Sequence, residues 1–432
     1  MNRNLKCSIA AISGNFIEWY DFALYLFLAP VIAKQFFPTA SDLASSQIMT
    51  LSLLGTFTVH AVSFFFRPLG ALLFGHIGDV YGRSIALRLS LSLLAALSIV
   101  MSLLPSYQSI GMMATVLLCL CRIGQGICLG GEFAGSMIYL AETIQPQKRA
   151  FFTSLSNNAS NIGILIAAGS ASILSYFMSD ETFSTYGYRI LFFIGGMIGV
   201  LGFAFRADLK ETNTFIEMDQ RERLPILSVL KHHRATFLRL FLILNISALG
   251  SYAFIGFMST FLHQTIGLNM SKALRYETLF IAITLILVPF FAARADKCSP
   301  QQMLKSACYR YIVLAIPCYF CFYTYQQPLF LLPLVAAYSM EQSCVPALMM
   351  EYFPTSVRYT GVSITYNTCM AFIGGLSPIL GLLLINTWEV EYGIACLLMF
   401  GAIITLISLG STVTNVLNKF SPSLKTTDSS HF

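Results

Sequence analysis

Apolar stretches long enough to cross a lipid bilayer recur along the whole 432-residue chain. Inside a bilayer the backbone must satisfy its own hydrogen bonds, so such stretches fold as helices or as a closed barrel. The runs here are continuous rather than alternating, which excludes the barrel. Twelve segments can be drawn, near 8–37, 51–75, 85–104, 110–141, 151–178, 188–205, 236–263, 276–293, 306–324, 328–350, 359–386 and 392–415. Only 11% of the residues are charged and 56% are hydrophobic, against about 25% charged in a soluble domain. The expected fold is an all-α membrane protein with twelve transmembrane helices. Arg3 and Lys6 precede the first apolar stretch as in a leader, but that stretch resumes past Pro30, so a retained first helix is expected.

The longest polar stretch, 206–235, falls between the sixth and seventh segments. It divides the chain into an N-terminal six-helix bundle (1–205), a cytoplasmic linker (206–235), a C-terminal six-helix bundle (236–415) and a short tail (416–432). Arg83, Arg88, Lys148, Arg149, the linker bases, Arg294, Lys297 and Arg358 gather on one side, against Lys34, Arg189, Lys272 and Arg275 on the other. The side richer in bases is expected to be cytoplasmic, with both termini there. The two halves repeat weakly. Glu142 with Arg149 follows the fourth segment and Glu351 with Arg358 follows the tenth, offset by about 209 residues. Asp79 follows the second segment as Asp296 follows the eighth. Two related halves around a midplane site are a recurrent plan of secondary transporters.

Charges inside the apolar runs carry the functional signal. Glu18 and Asp21 stand at i and i+3 of the first segment, on one helix face. Each acid at mid-bilayer costs about 2.5–3.5 kcal/mol, so such residues face a bundle interior or a wet cavity. The second segment adds Arg67, and the fourth adds Arg122 and Glu132. Three acids against two bases leave one carboxyl in excess, which suits a group that takes up and releases a proton. The same five residues also fit a buried ion-pair network that only fixes helix packing. Glycines 124, 126, 130, 131 and 135 of the fourth segment suit close helix approach.

Gly75, Asp79, Gly82 and Arg83 resemble the loop between helices two and three of the major facilitator superfamily; Val80 and Ser84 stand where that pattern is basic. Within it, Gly14-Asn15-Phe-Ile-Glu18-Trp19-Tyr20-Asp21-Phe22, Phe66-Arg67-Pro68-Leu69-Gly70, Gly124-Gln125-Gly126 through Gly130-Gly131-Glu132, and Glu351 through Gly361 with Tyr366-Asn367 are similar to the metabolite:proton symporters. That branch holds the proline/betaine, α-ketoglutarate, citrate and shikimate permeases. The resemblance implies two pseudo-symmetric six-helix bundles, no cofactor, and proton-driven uptake across a bacterial inner membrane.

The function expected is proton-coupled import of a small organic acid or zwitterionic metabolite by alternating access. Glu18, Asp21 and Glu132 are the proton-coupling candidates. Arg67, Arg122, Trp19, Tyr25, Tyr366 and Asn367 are the substrate-binding candidates, with Arg67 able to fork onto a carboxylate and Arg122 a second anchor or a partner of Glu132. Gly75, Asp79, Gly82, Arg83, Glu142, Arg149, Asp296, Glu351 and Arg358 are the gating candidates, with Asp79 pairing with Arg149 or capping a helix end, and Glu142 holding Arg149. An exporter of a metabolite or siderophore and a transport-inactive sensor of the same fold stand as alternatives. The partners expected are substrate, protons and lipid, and the protein is expected to be a monomer.

Other classes find no support. The net charge of +6 is spread over short loops and is no nucleic-acid signal. The phosphate loop of an ATP-driven pump does not occur, nor does HExxH or Gly-x-Ser-x-Gly. The eleven cysteines lie largely in apolar runs without neighbouring ligands, so neither a metal site nor a disulfide framework is expected.

Overall fold

The computed structural model describes residues 3–37, 45–218, 221–256, 258–264, 266–386 and 392–410. The expected tail, 416–432, lies outside the described residues. The chain forms two units, one up to Arg221 and one from Glu222 onward. The first unit contains α1 (Arg3–Phe27), α2 (Ala29–Phe36), α3 (Ser45–Val80), α4 (Arg83–Leu103), α5 (Met112–Thr143), α6 (Arg149–Phe177) and α7 (Tyr188–Ala207). The second contains α8 (Arg234–Ser251), α9 (Met258–Gln264), α10 (Met270–Cys298), α11 (Pro300–Tyr325), α12 (Leu332–Met349), α13 (Arg358–Cys369), α14 (Gly375–Asn386) and α15 (Gly393–Leu409). Among the described residues there is no strand, and eight helices are individually long and apolar enough to cross a membrane.

Three crossings carry a bend or a π-helical segment. The first segment bends by 70° between α1 and α2, where Pro30, lacking an N–H, sits in the opening turn of α2. The seventh crossing passes from α8 to α9 through a π-helical segment, Tyr252–Gly256, and the eleventh from α13 to α14 through another, Met370–Gly374. These two π segments meet: a Cβ on Gly374 would stand 2.5 Å from Tyr252 Cε2, so the tyrosine ring occupies the space left by the glycine.

In the first unit α3 and α5 touch backbone to backbone. A Cβ on Gly126 would be 2.1 Å from the carbonyl oxygen of Ser63, and one on Gly130 would be 2.1 Å from that of Arg67. Only glycine permits this seam, which fixes Arg67 against α5.

The repeat is visible in the backbone. Three residues after Asp79, Gly82 has φ 134° and ψ 149°; three after Asp296, Ser299 has φ 124° and ψ 146°. Short 3₁₀ turns, Pro146–Lys148 and Thr355–Val357, lead into α6 and α13. Arg149 Nε donates to the Ala141 carbonyl at 3.0 Å, and Arg358 Nε to that of Phe353 at 3.2 Å.

Candidate functional site

The charged residues of the first unit form two polar layers with a looser pair between them. In one layer Asp21 Oδ2 accepts from Gln125 Nε2 at 3.1 Å and from the Ser98 hydroxyl. Gln125 Oε1 accepts from Arg122 Nη1 at 2.9 Å, and Arg122 Nη2 reaches His60 Nδ1 at 3.0 Å. A guanidinium can only donate, so Nδ1 of His60 is the acceptor and its proton sits on Nε2. Phe22, Tyr25 and Phe64 surround the His60 ring at centroid distances of 4.3, 5.5 and 5.6 Å. Arg122 lies 4.2 Å above the Tyr25 ring, whose hydroxyl donates to the Thr56 carbonyl at 3.1 Å.

The other layer is built on Glu132. Its Oε2 accepts from Arg206 Nη1 at 2.9 Å and from Ser90 at 2.5 Å, and its Oε1 accepts from Arg206 Nη2. Arg206 also donates to the carbonyls of Ala10, Leu87 and Ala11 at 2.8, 2.6 and 2.6 Å. Gly14 leaves the room for this clamp, since a Cβ there would collide with Glu132 Oε1 and with Arg206. The partner weighed for Glu132 was Arg122; the structure gives Glu132 to Arg206, a base counted with the linker, and gives Arg122 to Gln125 and His60.

Glu18 falls between the layers along α1. It is fully buried, and neither of its carboxylate oxygens has a hydrogen-bond partner among the described residues. Arg67 Nη2 lies 3.8 Å from Oε1, within ion-pair range but beyond hydrogen-bond length. Asp21 Oδ1 and Trp19 Nε1 are likewise without hydrogen-bond partners. Buried polar atoms are rarely left this way, so the cluster on one side of α1 is under-satisfied. Tyr366 and Asn367 are buried on α13 of the second unit, where Asn367 Nδ2 donates to Ser363 O at 2.9 Å.

The loop motif forms a separate network at the α3–α4 turn. Gly75 is buried one turn before Asp79. Arg83 bridges two acids, with Nη1 3.1 Å from Asp79 Oδ1 and Nε 3.3 Å from Glu142 Oε2. The base expected here, Arg149, donates instead to the Ala141 carbonyl. The stretch after α7 closes over this network. Glu211 accepts from the backbone N–H groups of Arg83 and Ser84 at 3.0 and 3.1 Å, capping α4, and Thr212 Oγ1 donates to Glu142 at 2.8 Å. A Cβ on Gly82 would lie 2.3 Å from Glu211 Oε2. In the second unit Asp296 lies in the last turn of α10 and Glu351 is exposed after α12.

Sequence reasoning did not single out Arg206, His60, Gln125, Ser98 or Glu211. For His60 the signal was available, as a polar side chain in mid-helix between apolar neighbours; for Glu211, in a polar stretch, there was none.

Comparison with known proteins follows the same lines. The family model described as Major Facilitator Superfamily matches residues 11–378. The chain is 30% identical over 426 residues to the inner membrane metabolite transport protein YhjE of Escherichia coli K12, covering 95% of this chain and 94% of that one. It is 29% identical over 419 residues to the proline/betaine transporter of Salmonella typhimurium, covering 93% and 82%. Among solved structures, the proton:xylose symporter XylE bound to 6-bromo-6-deoxy-D-glucose superposes with a TM-score of 0.72 at 17% identity, covering 94% of each chain. That likeness concerns the fold. With the family match over most of its length and two units carrying the same repeated turns, the chain is a multi-pass membrane transporter and belongs to the Major Facilitator Superfamily.

Proposed function

We propose that this transporter is a proton-coupled symporter importing a small carboxylate-bearing metabolite, an organic acid or a zwitterion, by alternating access across a bacterial inner membrane. The observation that carries this reading is Glu18: a fully buried carboxyl, both oxygens without a hydrogen bond, 3.8 Å from an arginine and one helical turn from a second buried acid. A carboxyl so placed is stabilised by a proton, and Arg67 beside it is a planar fork for a substrate carboxylate. Relatives named as proline/betaine transporters favour the zwitterion within that class.

In this reading Glu18 and Asp21 exchange the proton. Arg67 binds the carboxylate, and Trp19 Nε1 and the Arg122 layer border the substrate; Tyr366 and Asn367 are the substrate-binding candidates of the second unit. Tyr25 and His60 position Arg122. Glu132, held on both oxygens by Arg206, is left out of the proton path and serves as a clamp. The Asp79–Arg83–Glu142 network, with Gly75, Gly82 and Arg149, and its counterparts Asp296, Glu351 and Arg358 form the cytoplasmic gate. Both termini are cytoplasmic, and the monomer is the transporting unit.

The test is uptake by proteoliposomes carrying an imposed pH gradient, with labelled proline, glycine betaine, α-ketoglutarate and citrate as probes. Asp21→Asn and Glu18→Gln are expected to lose uphill accumulation while retaining label exchange at equal concentrations. Arg67→Lys is expected to raise KM about tenfold, the equivalent of roughly 1.4 kcal/mol, because the fork is lost. Full uphill accumulation by both acid variants would remove them from the coupling scheme.

A further inference from the structure

The second unit also holds a buried acid, and it differs in kind from those of the first. Glu341 lies in the middle of α12 and has no exposed surface. It is the single acid of the apolar run 328–350. Its Oε2 accepts from the Tyr311 hydroxyl at 3.3 Å and its Oε1 from Gln342 Nε2 at 3.1 Å. The titratable groups around it are Tyr311 and Cys308 of α11 and Tyr338 and Cys344 of α12 itself. From α8 it meets Ser247 and Gly250. Among the described residues no Lys, Arg or His side chain pairs with it, from α10 or from any other helix packed on α12. Every donor it has is neutral.

An unpaired carboxylate at this depth costs several kcal/mol, whereas a carboxylic acid is accommodated by these same neutral partners. A purely structural acid would gain nothing here over a glutamine. What distinguishes the position is its neighbour. Gln342 Nε2 also contacts Ser247 and Ser251 of α8 at 3.3 Å each, and Tyr338 reaches Ser251 at 3.4 Å. Ser251 is the last residue of α8 before the π segment Tyr252–Gly256. A Cβ on Gly250 would stand 3.0 Å from Glu341 Oε2, so α8 approaches the carboxyl closely just where its hydrogen-bond ladder changes. π segments interrupt helices at functional sites and are natural places for a helix to shift.

We propose that Glu341 is a second proton-carrying residue, loaded as the carboxylic acid in the arrangement seen here and unloaded when α8 moves at its π segment and admits water. In the loading step a water-borne proton adds to one carboxylate oxygen; in the unloading step the O–H bond breaks and the proton returns to water on the other side. The proposal rests on the proton-coupled reading but places a separate step in the second unit.

The experiment compares Glu341→Gln with Asp21→Asn in the same pH-gradient proteoliposomes, reading uphill accumulation, label exchange and protons moved per substrate. Glutamine retains acceptor and donor groups of the same shape, so label exchange is expected to stay within about twofold of the unaltered protein. Uphill accumulation is expected to fall at least tenfold, with fewer protons moved per substrate. Tyr311→Phe, which removes one donor but keeps the ring, is expected to shift the pH profile of uptake without abolishing exchange, and it serves as the readout if Glu341→Gln does not fold. Loss in Asp21→Asn with unchanged accumulation and proton count in Glu341→Gln overturns this proposal alone. Should Glu341→Gln not fold, an unshifted profile in Tyr311→Phe overturns it equally. Unchanged coupling in Asp21→Asn and Glu18→Gln, with loss only in Glu341→Gln, supports the proposal and sinks the role given to the first unit's acids.

Discussion

At the scale of single residues, the first unit separates charges that are saturated from charges that are not. Glu132 and Arg206 are saturated by one another, by Ser90 and by three backbone carbonyls. Removing one partner of such a buried pair costs about 3–5 kcal/mol, because the other charge is left without compensation. Arg206→Gln and Glu132→Gln are therefore each expected to lower the midpoint of thermal unfolding strongly. The double variant should be more stable than either single one; a double variant no better than the worse single would argue against direct pairing. Glu18, Asp21, Arg67 and Arg122 were legible in the sequence because an ionisable group in an apolar run stands out. The partners were not. Arg206 follows an apolar run and reads as the first base of a polar linker, and only the fold turns it back toward α1 and α5. Glu341 satisfied the same rule as Glu18 and went unread, since no second charge lay near it in sequence to draw attention.

At the scale of elements, helix existence followed from hydropathy, whereas the breaks did not. The bend after α1 is traceable to Pro30, but nothing in the sequence marks the π segments at Tyr252–Gly256 and Met370–Gly374, which meet where the Tyr252 ring fills the space beside Gly374. The glycines of α5 are readable as small residues suited to close approach, whereas only the fold shows that Gly126 and Gly130 face the α3 backbone. In the second copy of the α3–α4 turn a serine, Ser299, stands where the first has Gly82. In the structure Ser299 takes the backbone conformation of Gly82, with φ 124°, a region that costs a non-glycine residue about 1–3 kcal/mol. Its hydroxyl oxygen accepts from Gln302 N at 3.2 Å as a helix cap, a role in which glycine is only a few tenths of a kcal/mol worse. Ser299→Gly is accordingly expected to stabilise the protein by roughly 1 kcal/mol. A lower unfolding midpoint in that variant would show that the cap outweighs the strain.

At the scale of the whole molecule, the sequence repeat becomes two units with matching turns: Asp79 with Gly82 and Asp296 with Ser299, Arg149 and Arg358 each bonded to a carbonyl upstream. The stretch after α7 is a part of the first unit as much as a connection, since Glu211 and Thr212 fasten onto Arg83, Ser84 and Glu142. Relatives are named as proline/betaine transporters, and buried acids stand in both units, Glu18 and Asp21 in the first and Glu341 in the second. The most direct measurement is of proton movement itself, in lightly buffered proteoliposomes followed with a pH electrode as a transported probe is added. The account predicts alkalinisation outside in proportion to substrate entering, absent in Asp21→Asn although that variant still exchanges label. Accumulation of substrate against its gradient with no accompanying proton flux would contradict it.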